Sequence, residues 1–307
     1  MILDAAATAR ALDDGAVGRV LERDVVWVDG PDARSYLQGQ VTQDLEPLAP
    51  GGSVEALVLS PQGKIDGYVR IVMVGDERFG LEIERGFGDA VAERIRRFKI
   101  RIKATLEQEV VRVVEVRGPL AEPAGTVPAG VVAMPVRFGP LAGYDLFGPS
   151  AALPDAVPTG SDEAFEAARI TAGVPRMGRE LTDKTIPAEA GLVERTVSFT
   201  KGCYTGQELV ARLDSRGNRV PWNLRSITID SDDPVAPGAA VTIDGTEVGH
   251  VTSAARAPGG DGFVALGYLK RGVEVPTAVA VVTDAGPAPG QATALPADGP
   301  VGQDVPR

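Results

Sequence analysis

The sequence holds a single cysteine in 307 residues, within Lys201-Gly202-Cys203-Tyr204-Thr205-Gly206-Gln207-Glu208. A cysteine beside a lysine and just ahead of the positive end of a helix is placed to favour the thiolate, the form that attacks electrophiles and binds soft metals. The helix is predicted from Thr205 and Glu208, whose spacing is that of a capping box, with Tyr204 and Leu209 as the matching hydrophobic staple. It would run through Val210, Ala211 and Leu213 towards Gly217. No base accompanies the thiol. A Cys-His-Asn arrangement would need His250, the only histidine, to fold back from another domain. Local physics therefore leaves two readings open: a reactive or partner-binding thiol, and a capped helix start with an incidental cysteine.

One histidine also excludes histidine-rich metal sites, and no metal centre is expected. His250 lies in Glu247-Val248-Gly249-His250-Val251-Thr252-Ser253, an alternating stretch that reads as a strand, and it is given no catalytic role. Ser60-Pro61-Gln62-Gly63-Lys64 reads as a hairpin turn. It lacks the long glycine loop and the Ser/Thr of a phosphate-binding loop, but leaves Lys64 and Asp66 available to a ligand. Gly143-Tyr144-Asp145 and Gly178-Arg179-Glu180 set polar groups beside glycines. Taken singly, each is turn chemistry.

The elements that must position these groups interleave strands and helices. Val25–Val28 reads as a strand, and Asp29-Gly30-Pro31 turns it into a helix through Ala33, Tyr36 and Leu37, with proline at an early helical position. Val54–Ser60 and Ile65–Val74 form a hairpin, and Phe79–Ile83 a third strand. A helix follows from about Gly88 to Lys99, apolar at Val91, Ile95 and Phe98, with Arg94, Arg96 and Arg97 expected on a solvated face. Strands at Val110–Val116 and Met134–Phe138 flank a loop rich in Pro, Gly and Ala. Ser161 caps a helix ended by Gly173-Val174-Pro175, and a long irregular segment, Arg176–Thr200, leads to the cysteine. Short strands at 224–229, 240–243, 248–253 and 263–269 have the look of a small barrel or sandwich. Beyond about Asp284 the chain is Ala, Pro and Gly and is expected to be a disordered tail. The class is α+β with antiparallel sheets.

A chain this long with 44% hydrophobic residues can bury more than one core. No apolar run approaches the length of a bilayer span, and Asp4, Asp13 and Asp14 stand where a signal peptide would be basic, so a cytoplasmic protein without membrane contact is expected. A lone cysteine agrees with a reducing compartment. The net charge of −11 repels nucleic acid, and no basic run long enough to overcome it is read from the sequence.

Taken together, Tyr36-Leu37-Gln38-Gly39-Gln40-Val41-Thr42-Gln43-Asp44-Leu45, then Leu59 to Lys64, then Gly173-Val174-Pro175 with Gly178-Arg179-Glu180, then Pro187 and the cysteine octapeptide followed by Val210-Ala211-Arg212, resemble the folate-binding YgfZ family. That family lies in the superfamily of the glycine cleavage T-protein, a tetrahydrofolate-dependent aminomethyltransferase. The resemblance runs from about Val25 to Leu269, and the octapeptide, absent from T-proteins, is its most specific part. It implies a three-domain aminomethyltransferase-like fold around a central channel. The first domain would be 1–34 with 111–220, the ferredoxin-like second 35–110, the C-terminal β-barrel 221–284, and the tail 285–307.

It also implies a tetrahydrofolate-binding protein that assists iron–sulfur cluster assembly or repair in client enzymes, with indirect effects on tRNA modification. Its partners would be a reduced folate and assembly proteins or client enzymes, with no direct nucleic-acid contact and a monomer favoured. Cys203 would be the essential thiol, with Lys201, Tyr204, Gln207 and Glu208 as companions, and Lys64, Asp66, Tyr144, Arg169 and Glu180 would contact folate. The alternative is a folate-dependent aminomethyl or one-carbon transferase using Asp66. Against it, a carboxylate of the T-proteins falls on Thr171, and their Gly-Glu on Pro140-Leu141. A non-catalytic assembly factor is the expectation.

Overall fold

A computed structural model describes residues 1–122, 127–137 and 141–296. The tail expected from 285 therefore lies outside the described residues from 297 onward.

The centre of the larger body is β1 (Val17–Asp29), whose Val25–Val28 stretch is buried throughout, as a strand covered on both faces must be. It pairs antiparallel with β4 (Arg78–Glu84) on one edge and β5 (Thr105–Arg117) on the other. With β2 (Ser53–Leu59), β3 (Ile65–Gly75), β6 (Val132–Val136) and β7 (Gly143–Phe147), the sheet has the order β2-β3-β4-β1-β5-β7-β6. Position 110/111 falls inside β5, within this one sheet.

On one face, α3 (Gly88–Arg96) seats Val91, Ala92 and Ile95 in the main core with Ile65, Val69 and Ile83. Gly67 is what permits the approach, since a Cβ there would meet Val91 at 2.6 Å. Helix α2 (Ala33–Gln38) begins after Asp32, so Pro31 precedes the helix instead of occupying its first turn. Over the other face lies α4 (Asp162–Thr171). Ser161 caps it by accepting from the Ala164 amide, and α1 (Ala5–Asp14) packs beside it, capped by Asp4.

The second body is a closed barrel, β10-β11-β8-β13-β12-β9, built from β8 (Trp222–Ile229), β9 (Ala240–Ile243), β10 (Thr246–Arg256), β11 (Phe263–Lys270), β12 (Thr277–Thr283) and β13 (Gly286–Thr293). Two of these strands were not read from the sequence. The tail reading from 285 is corrected by β13, which pairs with β12 over its whole length and with β8 from Gly290 to Thr293. Pro287 and Pro289 are tolerated because β8 pairs only beyond them, and Ala288 and Ala292 fill the barrel interior. No helix of the described residues is long and apolar enough to cross a membrane.

Candidate functional site

Strand alternation puts one set of charged side chains on the sheet face beneath α4. On β3, Asp66, Tyr68 and Arg70 alternate with the buried Ile65, Gly67, Val69 and Ile71. Arg70 stands opposite Glu55 of β2 and Glu82 of β4, and Glu115 of β5 stands between Arg19 of β1 and Asp145 of β7.

These side chains join into a network. Arg70 binds Glu82 at 2.6 Å and Asp145 at 2.5 Å, Arg117 binds Asp145 at 2.6 Å, and Arg19 binds Glu115 at 2.7 Å. Arg23 reaches Glu82 at 3.3 Å. Burial would raise the Glu115 carboxyl, but the guanidiniums of Arg19, Arg117 and Arg23 outweigh it and hold the pKa down at about 2. Burial would lower the Arg70 guanidinium, and Glu82 and Asp145 reverse that.

Between this face and α4 lies a cavity of about 210 Å³. Its charged wall is the network together with Glu84, Glu166, Arg169 and Arg176, and its apolar wall includes Leu21, Leu141, Phe165 and Pro175. Arg19 lies over the Phe165 ring at 4.4 Å and so joins the two walls. The Nε of Arg117 is buried at this cavity without a hydrogen-bond partner, while that of Arg23 has Glu82 at 3.3 Å. Such a donor in a polar cavity is a binding capacity, because a buried unpaired donor costs ~1–3 kcal/mol until something accepts from it.

The expected folate residues separate. Arg169 lines the cavity, pairing with Glu166 at 2.7 Å and Glu180 at 3.1 Å. Asp66 shares the face of Tyr68 and Arg70 but turns to Arg94 at 3.3 Å, and burial pushes its pKa up with Arg94 opposing. Lys64 points its Nζ to the Lys184 carbonyl.

Two other expected residues do not line the cavity. Tyr144 projects to the opposite face of β7, buried with Val114, Val116 and Leu146, so that Asp145 is the residue facing the cavity. Glu180 is fully buried and consumed: its carboxylate accepts from Thr252, Ser253, Arg169 and the Arg176 amide, tying the barrel to the body. Thr171 is exposed on α4. The signal that could have found the network is a charged residue inside an apolar strand, as in Val113-Val114-Glu115-Val116-Arg117 or Val69-Arg70-Ile71.

The cysteine loop sits at the far end of the β2–β3 hairpin. After the short α5 (Val193–Thr196), helix α6 runs Gln207–Asp214, and its N-cap is Gly206 in the left-handed region (φ 84°) with no side-chain cap, so the Thr205–Glu208 capping box does not form. The reason is tertiary. Gly206 is pressed against the hairpin, where a Cβ would stand 2.6 Å from the Ser60 carbonyl oxygen and 2.9 Å from the Leu59 Cβ. Gln207 supplies a different closure, its Oε1 accepting from the Tyr204 amide, while Glu208 is exposed.

Lys201 does not serve the thiol. Its Nζ donates to the carbonyls of Gln38, Val41 and Gln43 at 2.7–2.8 Å and lies over the Tyr204 ring. Burial pushes its pKa down to about 8, with Asp44 and Glu46 opposing. Tyr204 is buried in the main core, and Cys203 is exposed. Among the described residues, no group of three or more His, Cys, Asp or Glu side chains is placed to hold a metal ion.

Residues 223–297 match the model of the glycine cleavage T-protein C-terminal barrel domain. The fold is that of the glycine cleavage system aminomethyltransferase T from Bartonella henselae, with a TM-score of 0.81 at 19% identity over 95% of this chain and 89% of that one. The chain is similar to the tRNA-modifying protein YgfZ of Klebsiella pneumoniae (27% identical, covering 71% of each chain). It is also similar to the mitochondrial iron–sulfur cluster assembly factor IBA57 homolog of Pyricularia oryzae (31% identical, 64% of this chain and 53% of that one). Across the first of its curated relatives the chain spans between 26% and 66% of their own length. The sheet, α4 and the closed barrel are what the two structures share as a fold. By sequence the chain is similar to YgfZ proteins over 62–71% of its length.

Proposed function

We propose that this protein binds a reduced folate, tetrahydrofolate or a derivative, in the cavity beneath α4 and assists iron–sulfur cluster assembly or repair in client enzymes, with tRNA modification affected indirectly. The observation that carries the reading is the cavity itself: an apolar wall facing a charged one, with the buried Nε donor of Arg117 unanswered. A pterin is flat and rich in hydrogen-bonding edges, and folate carries carboxylates, so the residues present fit the group. Leu141, Phe165 and Pro175 would cover a ring face, and the Glu166 carboxylate would accept from ring N–H groups. Arg23, Arg117 and Arg176 would meet acceptors or carboxylates. The volume suits the ring system and leaves the glutamyl tail outside. When bound, the folate supplies one-carbon carrying capacity; the chain's residues hold and orient it.

The names of the relatives support the cluster-assembly part, and the exposed Cys203 is the group available to a client or an assembly partner. Calorimetry with tetrahydrofolate under anaerobic conditions tests the binding. Saturable heat is expected from the wild type, weakened about tenfold or more in Arg117→Met, where a charge-assisted bond is lost. No saturable heat in the wild type would falsify it. The thiol role is tested separately in a deletion strain, where Cys203→Ala is expected to leave iron–sulfur enzyme activity low, and full restoration would remove it.

One observation favours a transferase as the second reading: Asp66 shares the strand face of Tyr68 and Arg70, which line the cavity, with its carboxylate paired to Arg94. Steady turnover of an aminomethyl donor, lost in Asp66→Asn, would support that reading over the first.

A further inference from the structure

The stretch Arg94–Lys103 contains six basic residues and no acidic one in ten positions, within a chain of net charge −11. Sequence reading takes Arg94, Arg96 and Arg97 for a solvated face; the structure corrects this for Arg94 and leaves Arg96 and Arg97 exposed. Arg94 is buried, donating to the Leu59 carbonyl, pairing with Asp66 and lying 4.6 Å from the Phe98 ring centroid. It props the ring from below. Arg97 pairs with Glu93.

The remaining four, Arg96, Lys99, Arg101 and Lys103, stand at the end of α3 and in the stretch that follows it, and among the described residues none of their side chains has an ion pair or hydrogen bond. In the middle of these cations stand Phe98, 40% exposed, and Ile100, 75% exposed. The core does not need either: α3 is already anchored by Val91, Ala92 and Ile95. Four unpaired cations around two uncovered apolar side chains oppose the stability of the isolated chain. An apolar centre ringed by charge, rich in Arg and carrying an aromatic, is the composition of a protein-binding patch.

We infer that this tip, centred on Phe98 and Ile100 and rimmed by Arg96, Lys99, Arg101 and Lys103, is a docking surface for a protein partner that presents an apolar pocket with an acidic rim. Charge complementarity selects the class of partner. An extended polyphosphate or an anionic bilayer would meet the acidic remainder of the molecule beyond the tip, including Asp32, Asp66 and Glu93, each of which touches the segment itself. A compact acidic protein face meets only the tip. The inference is independent of the folate cavity, which none of the rim or centre residues lines.

The probe is a fluorescein-labelled amphipathic peptide with Leu and Phe on one helical face and Glu and Asp on the other. The control is the same peptide with serine at every apolar position. Anisotropy with the full chain at about 0.15 M salt is expected to show saturable binding of the first peptide only. Binding should weaken about tenfold or more in the triple variant R96E/K99E/R101E and again in F98S/I100S, as loss of interface anchors does. Ile100→Ser alone, at a position the fold does not bury, guards against misfolding and is expected to weaken binding with an unchanged thermal midpoint. The inference is overturned if the amphipathic peptide does not saturate or if the serine peptide binds equally. It is likewise overturned if labelled tRNA or phosphatidylglycerol vesicles bind through the same residues more tightly than the peptide.

Discussion

Glu115 shows what the charged sheet face does to a single residue. Its carboxylate is nearly out of solvent, yet three guanidiniums keep it ionised, with the pKa lowered from 4.5 to about 2. A carboxyl depressed by folding stabilises the native state above its unfolded pKa, and that contribution is lost as pH falls towards the folded value. The contribution is on the order of 3 kcal/mol at neutral pH, undiminished down to about pH 4.5 and gone by about pH 2. Urea midpoints measured across that window should fall steeply in the wild type. In Glu115→Gln the midpoint at neutral pH should be lower by ~3–5 kcal/mol equivalent, because Arg19, Arg23 and Arg117 lose a buried partner. Its acid limb should be correspondingly shallower. Parallel acid limbs in the two proteins would show that Glu115 is not the titrating group.

At the level of elements, the cysteine loop is fixed by its contacts with the body and not by its own helix. Lys201 threads three carbonyls of the 38–43 turn, the Thr205 amide donates to the Gly39 carbonyl at 3.2 Å, and Gly206 sits against the β2–β3 hairpin. Lys201→Met should leave those carbonyls without their donor and cost about 2 kcal/mol. Amide exchange at Thr205 should accelerate while that of β1 does not, and an unchanged Thr205 rate would refute the clamp. Six strands of the large sheet are legible because apolar alternation is a local signal, as in Ile65-Asp66-Gly67-Tyr68-Val69, whereas Gly143–Phe147, read as turn chemistry, is β7. The start of α6 was misread because the left-handed Gly206 answers to Ser60, a contact across more than a hundred residues of chain. In Tyr144-Asp145 the same alternation, applied to β7, puts only Asp145 on the face of Glu115. Glu180 could not be read at all, since the hydroxyls that consume it lie on β10, outside its own segment.

For the molecule as a whole, the barrel is both a closed unit and a lid held down on α4. Glu180 supplies one tie, with Tyr268 donating to its backbone carbonyl at 3.1 Å, and the end of the barrel supplies another. Leu295 packs with Ile170 and Leu224, and Pro296 comes so close to Gly173 that a Cβ there would meet it at 2.9 Å. The segment that composition marks as a tail therefore closes the barrel and then returns to the helix that roofs the cavity. Truncation after Asp284 would remove β13, leave the facing edges of β8 and β12 unpaired, and withdraw Ala288 and Ala292 from the interior. The loss should exceed ~3 kcal/mol, more than most single substitutions cost. It should appear as a separate, earlier unfolding step in the fluorescence of Trp222, which lies on β8, while Trp27 on β1 reports the body. Truncation after Pro296 keeps every barrel strand and both ties, and is the reference for the shorter chain. If the chain ending at Asp284 unfolded like the one ending at Pro296, β13 would not be what closes the barrel.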